Sequence, residues 1–335
     1  MTSSVIFGCE GKVLSDEERT FFRATDPWGF ILFRRNCETR EQITALCGEL
    51  RDTVGREAPI LVDHEGGRVS RLSPHIVPKR PPMAVFEGLG KPASLKAVRL
   101  GAELLARDAA DVGITVNCVP MVDVRQPGAH DIVGDRAFST SPETVAALGQ
   151  AMIEGTLAGG CLPIIKHIPG HGRAMADSHL ELPRVEASHG ALSQCDFVPF
   201  KALAHAPLAM TAHIVYEALD DKEPATTSVT VIEDIIRKEI GFQGLLMTDD
   251  LSMKALKGSF YERSVKSLKA GCDLLLHCNG DMAEMEAVAG AAMPLSAEAE
   301  RRSEKALALL KPSAPAEKKS LEEEFASLTN GVNIS

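Results

Sequence analysis

Short apolar runs, each too brief for a helix and rich in Val, Ile and Leu, recur along the chain. They read Val5–Phe7, Gly29–Phe33, Ile60–Val62, Ile114–Asn117, Leu162–Ile165, Leu208–Met210, Leu245–Met247 and Asp273–Leu276. They are near-continuous rather than alternating, as expected of strands buried on both faces of a parallel sheet. Between them lie stretches with helical periodicity. Ser94–Val112 is followed by Gly113, and Pro142–Ala158 is preceded by Ser141 as an N-cap. Val231–Ile240 and Phe260–Ala270 are each closed by a glycine. Strand and helix alternating eight times predict an α/β fold, a single (β/α)8 barrel of the TIM type. An open doubly wound sheet is the other arrangement of these elements. No Gly-x-Gly-x-x-Gly follows the first run, however, so its dinucleotide-binding version lacks a fingerprint. The catalytic barrel is expected over 1–311, with Ser296–Leu310 as its last helix. Residues 312–335 read as a linker, Pro312–Ala316, and then a charged terminal helix or frayed tail at Lys318–Leu328.

Composition narrows the function. With 335 residues, 44% of them hydrophobic, the chain can bury a large core, while one Trp and two Tyr leave no broad stacking platform for a long sugar chain. A net charge of -10 argues against nucleic acid, which needs a basic footprint. The eight cysteines are scattered without a Cys-x-x-Cys pair, the usage of free thiols in a reducing compartment. Met1–Gly11 does not read as a signal peptide, and no run approaches the ~20 apolar residues that span a bilayer. The expectation is a cytoplasmic protein with no nucleic-acid or membrane partner.

A parallel barrel carries its chemistry at the carboxyl ends of its strands, and polar residues follow the apolar runs at those points. The third run is followed by Asp63-His64-Glu65-Gly66-Gly67-Arg68-Val69-Ser70-Arg71, and the fourth by Asp123 and, further on, Asp135-Arg136. The fifth leads into Lys166-His167-Ile168-Pro169-Gly170-His171-Gly172 and then Asp177-Ser178-His179. Thr211-Ala212-His213, Thr248-Asp249-Asp250 and His277 close the sixth, seventh and eighth. Taken singly, Asp250 reads equally as a helix N-cap, His213 and His277 as packing or hydrogen-bonding residues, and His171 as loop structure. Their convergence on one rim is what points to a site.

The segments Asp63–Arg71, Lys166–Gly172, Asp177–His179 and Thr248–Met253 closely resemble those of glycoside hydrolase family 3 β-N-acetylglucosaminidases. The resemblance is to the bacterial single-domain branch that recycles cell-wall fragments in the cytoplasm. It implies a (β/α)8 barrel that removes N-acetylglucosamine from muropeptide-like amino-sugar glycosides, without cofactor or metal. Matched motif by motif, Asp249 falls on the nucleophile, His179 on the acid/base and Asp177 on its dyad carboxylate. Asp63, Arg71, Arg136, Lys166 and His167 fall on residues that bind the sugar. Two departures are visible: Ile168 where the family usually has Phe, and Asp135-Arg136-Ala137-Phe138 where Asn-Arg-Ser-Phe is common.

The residue types suit those roles. A retaining glycosidase needs a carboxylate to attack the anomeric carbon and a group that gives and takes a proton. A histidine titrating near pH ~6.5 can do the second, oriented by an adjacent carboxylate. Gly170 and Gly172, at the root of the 170–182 loop, suggest that it closes over bound substrate. Two other readings compete. A metal-dependent hydrolase on the same barrel would draw ligands from His167, His171, Asp177, His179, His213 and Asp249. A sugar-binding protein without catalysis would keep the pocket alone.

Overall fold

The structure is a computed structural model describing residues 1–72, 74–128, 131–174, 181–313 and 317–329. Among the described residues eight parallel strands close into a barrel, and each expected apolar run supplies one. They are β1 (Ser3–Gly8), β2 (Pro27–Leu32), β3 (Ile60–Val62), β4 (Val116–Asn117), β5 (Leu162–Ile168), β6 (Leu208–Thr211), β7 (Leu245–Asp250) and β8 (Leu274–His277). The ring is sealed where Val5 of β1 pairs with Leu275 of β8.

Alternate residues on these strands face opposite ways, which divides the core in two. Ile6, Leu61, Ile164, Met210 and Met247 fill the interior. Their neighbours Val5, Ile60, Ile165, Ala209 and Leu246 pack outward under the helices. This double burial explains why the runs carry no polar alternation. The predicted helices Pro142–Ala158 and Phe260–Ala270 are present with those bounds, capped by the Ser141 and Ser259 side chains. Lys91–Ala110 begins three residues before the predicted start. The segment Val231–Glu239 is a π-helix rather than the α-helix its periodicity predicts, and the Ile240 N–H closes it on the carbonyl five residues back, that of Ile235.

The reading of Ser296–Leu310 as the last barrel helix requires correction. Met282–Ala289 directly follows β8 and occupies that place. The helix Ala297–Leu307 instead covers the amino-terminal end of the barrel. Trp28 Nε1 donates to Ser303 Oγ at 2.7 Å, Arg302 Nη1 reaches Asp273 Oδ1 at 2.8 Å just ahead of β8, and Ala299 and Ala306 pack with the barrel interior. Its contact face is the small-residue stripe Ala299, Ser303, Ala306, narrow enough to lie across an end. Periodicity reveals a helix but not which surface it covers.

The carboxyl-terminal segment Lys318–Thr329 is a helix docked on Lys91–Ala110, not a frayed tail. Phe325 is buried there beside Phe86, where Gly101 leaves room that a Cβ would fill at 2.9 Å from the ring. Arg80 lies 6.0 Å from the ring centroid and shares Nη2 between Asp108 at 3.1 Å and Glu322 at 3.0 Å. Lys318 Nζ adds a contact to Asp108 at 2.7 Å. Truncating a buried Phe to Ala costs roughly 3–5 kcal/mol where the site cannot collapse. Phe325→Ala should therefore undock this helix, lowering the melting temperature and opening a protease site near residue 320. Unchanged melting and an unchanged digestion pattern would contradict the assignment.

Candidate active site

The carboxyl ends of the strands surround a cavity of about 300 Å³, within the roughly 300–1,000 Å³ range of small-molecule sites. Asp63, Arg71, Arg136, Lys166, His167 and Asp249 all line it, so every described residue expected at the site is brought there. Asp177 and His179 lie outside the described residues, as does the stretch of the 170–182 loop expected to close over substrate.

A two-stranded hairpin, His64–Gly66 against Val69–Ser70, builds one wall. Its turn is Gly66-Gly67 with φ of 96° and 56°, and a Cβ on Gly67 would stand 2.7 Å from Pro82. The turn sends the chain back so that the Arg71 N–H donates to the Asp63 carbonyl at 3.2 Å. The Arg71 guanidinium then lies 3.5 Å from the Asp63 carboxylate and stacks 5.3 Å from the Phe33 ring centroid.

Lys166 is nearly fully buried at the end of β5. Its ammonium sits 3.0 Å from Asp63 Oδ1 and 2.7 Å from Glu65 Oε1. Glu65 in turn receives a fork from Arg136: Nε on Oε2 and Nη2 on Oε1, both at 2.8 Å. Burial opposes charge on each of these groups, but the partners outweigh it. Arg136 and Lys166 hold the Glu65 carboxyl well below the usual carboxylate range. Lys166 and Arg71 lower the pKa of Asp63, and the two carboxylates keep Lys166 protonated. The result is a rigid set of charged donors and acceptors facing the cavity, suited to sugar hydroxyls.

His167 is fixed from behind. Its Nδ1 is 2.8 Å from Asp123 Oδ2, and its backbone N–H donates to Asp123 Oδ1 at 3.2 Å. Asp123 also accepts from the His171 backbone at 2.6 Å. His171 is buried, and burial followed by repulsion from His167 lowers its pKa to about 4, which makes it a neutral wall of the loop root. The same root is packed rather than loose: a Cβ on Gly172 would meet the Val124 carbonyl oxygen at 1.9 Å. The Lys166–His167 and Ile168–Pro169 peptide bonds are cis.

Asp249 and Asp250 divide their work. Asp249 opens onto the cavity and accepts the Asp250 N–H at 2.8 Å. The Asp250 carboxylate is mainly a cap, accepting Ser252 N at 3.0 Å, Ser252 Oγ at 2.6 Å and Cys278 N at 3.2 Å. His277 packs against Phe7 and Phe260 and meets Glu284 at 2.9 Å. Glu65 and Asp123 carry no assigned role in the sequence reading, yet they orient Arg136, Lys166 and His167. The signal for Glu65 was its two-residue spacing from Asp63 beyond a strand end. For Asp123 none stood apart from the neighbouring polar residues.

Among the described residues no group of three or more His, Cys, Asp or Glu is arranged to hold a metal; His167 Nδ1 and both ring nitrogens of His213 are bound to protein groups.

The family model described as "Glycosyl hydrolase family 3 N terminal domain" matches residues 13–309. The chain belongs to glycoside hydrolase family 3. Among its relatives is a beta-hexosaminidase from Tolumonas auensis, 37% identical over 302 residues that cover 88% of this chain and 87% of the relative. A beta-hexosaminidase from Alkalilimnicola ehrlichii is 37% identical over 290 residues, covering 82% and 80%. NagZ from Neisseria gonorrhoeae, solved in complex with N-trifluoroacetyl-D-glucosamine, superposes with a TM-score of 0.86 at 29% identity over 98% of each chain. A family 3 beta-N-acetylglucosaminidase from Paenibacillus sp. gives a TM-score of 0.82 at 28% identity, over 97% of this chain and 67% of that one. The chain is thus a glycoside hydrolase of the β-hexosaminidase group.

The ion lattice predicts an acid response. Glu65→Gln removes one side of a buried pair, a loss on the order of 3–5 kcal/mol. Because the folded-state pKa of Glu65 is depressed, its stabilisation is complete above the unfolded carboxylate range, about pH 4, and declines as pH falls toward the folded value. The melting-temperature gap between wild type and Glu65→Gln should be full at neutral pH and shrink below about pH 4. A gap that stays constant under acid would contradict this.

Proposed function

We propose that the chain is a retaining β-N-acetylglucosaminidase that removes terminal non-reducing N-acetylglucosamine from peptidoglycan fragments, N-acetylglucosaminyl-1,6-anhydro-muramoyl peptides, in the cytoplasm. The observation that carries this reading is the meeting of Asp249 with Asp63, Arg71, Arg136, Lys166 and His167 in one sugar-sized cavity. The Neisseria relative supports the sugar, because it was solved with an N-acylated glucosamine, and the Paenibacillus relative is named for the same glycoside. The compartment is supported by the eight cysteines, all free.

In this mechanism the Asp249 carboxylate attacks the anomeric carbon as the bond to the leaving oxygen breaks. His179, oriented by Asp177, gives that oxygen its proton. Water then attacks the same carbon, returns a proton to His179 and releases Asp249, so two inversions leave the β configuration unchanged. Asp63 accepts from ring hydroxyls, Arg71, Arg136 and Lys166 donate, and His167, whose Nδ1 is turned to Asp123, meets the sugar through Nε2. Because these groups are already fixed by one another, they need not reorganise as positive charge builds on the sugar.

A nitrophenyl N-acetyl-β-glucosaminide tests the assignment. Asp249→Ala should lower kcat by roughly 10⁴-fold or more, while N-acetylglucosamine still binds. His179→Ala should lose far less on a dinitrophenyl leaving group, which needs no proton, than on an alkyl glycoside. Retention of ordinary turnover by Asp249→Ala would remove the proposal, as would first appearance of the α-anomer by NMR.

A further inference from the structure

We infer that His213 is a positioning residue that holds the carboxyl end of β7, and with it Asp249, in its reactive place. The inference rests on the reading of Asp249 as nucleophile. His213 does not line the cavity and is fully buried behind it, as are Thr211 and Thr226.

The regular ladder runs out where the chemistry begins. On the β6 side, β7 is paired as far as Met247 with Met210 and no further. On the β8 side its register shifts between Met247 and Asp250, after which the Leu251 N–H donates to the Leu276 carbonyl at 2.8 Å. The half-buried Asp250 carbonyl thus lies beyond the ladder on the β6 side, where an acceptor left unpaired would be costly. His213 supplies the missing donor: its Nε2 lies 3.0 Å from that carbonyl oxygen.

The direction of this contact is fixed by what each group can do. A carbonyl only accepts, so Nε2 carries the proton. In the neutral ring Nδ1 is then an acceptor, and its partner is Thr226 Oγ1 at 2.7 Å. With its one proton spent on Nδ1, the Thr226 oxygen accepts from Thr211 Oγ1, also at 2.7 Å. The Ala212 carbonyl, 3.2 Å from Thr226 Oγ1, is the more distant alternative for that proton. Burial favours the neutral ring that this chain requires. The chain therefore runs one way, from the Thr211 hydroxyl through Thr226 and the imidazole to the Asp250 carbonyl. The N–H of the same residue donates to Asp249 Oδ1 at 2.8 Å. One backbone unit is gripped at its carbonyl by His213 and grips the nucleophile's carboxylate at its nitrogen, so loss of the first contact lets the second drift.

Two amide side chains separate the two ends of the imidazole. The carboxamide of His213→Asn falls near the Nδ1 position and keeps only the Thr226 contact. That of His213→Gln reaches the Nε2 position and can donate to the Asp250 carbonyl. The readouts are the rate of covalent labelling by an activated 2-fluoro glycoside and the inhibition constant of N-acetylglucosamine. His213→Asn should label about ten- to a hundredfold more slowly, the scale of a small misplacement, with the inhibition constant within about twofold of wild type. His213→Gln should recover most of the labelling rate. Equal loss in the two variants, or an inhibition constant that rises in step with the lost rate, would overturn the inference. If His213→Asn does not fold, Thr226→Val probes the same chain from its far end. It should slow labelling several-fold, roughly 3- to 10-fold, with rescue by Thr226→Ser, and wild-type labelling in Thr226→Val would overturn it. The wild-type labelled peptide separates the two claims. A label outside the peptide containing Asp249 defeats the nucleophile assignment itself, whereas a label on Asp249 with unaffected variants defeats only the role of His213.

Discussion

The Lys166 ammonium, held between the carboxylates of Asp63 and Glu65, is the interaction on which the site depends. A lone ammonium or carboxylate at this depth would lose more hydration than the protein returns. The cost is met only because the charges balance locally. Lys166, Arg136 and Arg71 oppose Asp63, Glu65 and Asp249, and all of them except Glu65 also line the cavity. Each group that would touch a sugar hydroxyl is therefore already oriented by a neighbour. The lattice works as a preset arrangement of charges, and breaking it destabilises the fold mainly by leaving a buried partner unpaired.

The barrel makes that lattice possible by ending parallel strands at one level. Lys166 on β5 reaches Asp63, which follows β3, across the intervening β4, a crossing that requires the three strand ends to lie on one rim. Beneath it, Ile164, Met210 and Met247 fill the interior and exclude water from below. At the opposite end the helix Ala297–Leu307 closes the barrel. Where the strands stop, side chains take over the work of the ladder. Asp123 holds His167, the Asp250 carboxylate pins the turn after β7, and the Gly66-Gly67 turn returns Arg71 to Asp63.

Much of this was legible in the sequence because the physics that builds a parallel barrel leaves a linear trace. Every apolar run became a barrel strand, and every described residue assigned to the site by motif lies on one cavity. What stayed hidden depends on contacts between distant segments. Glu65 and Asp123 look like ordinary loop carboxylates until the fold sets them behind Arg136, Lys166 and His167. The helix at 297–307 has the periodicity of an outer-layer helix but covers an end. The sequence leaves the Lys318–Leu328 stretch open between a charged helix and a frayed tail, because a single phenylalanine, Phe325, and a space left by Gly101 decide its docking. His213 reads as a packing histidine, and its direction toward the Asp250 carbonyl appears only once the ladder beside it is seen to stop.

The central claim is that the charged lattice and Asp249 act on the two sides of one bound sugar. A crystal structure with N-acetylglucosamine soaked into the protein tests it most directly. Ring hydroxyls should lie on Asp63, Arg71, Arg136, Lys166 and His167, with the anomeric carbon facing the Asp249 carboxylate. A sugar seated elsewhere, or one in the cavity with its anomeric carbon turned away from Asp249, would contradict it.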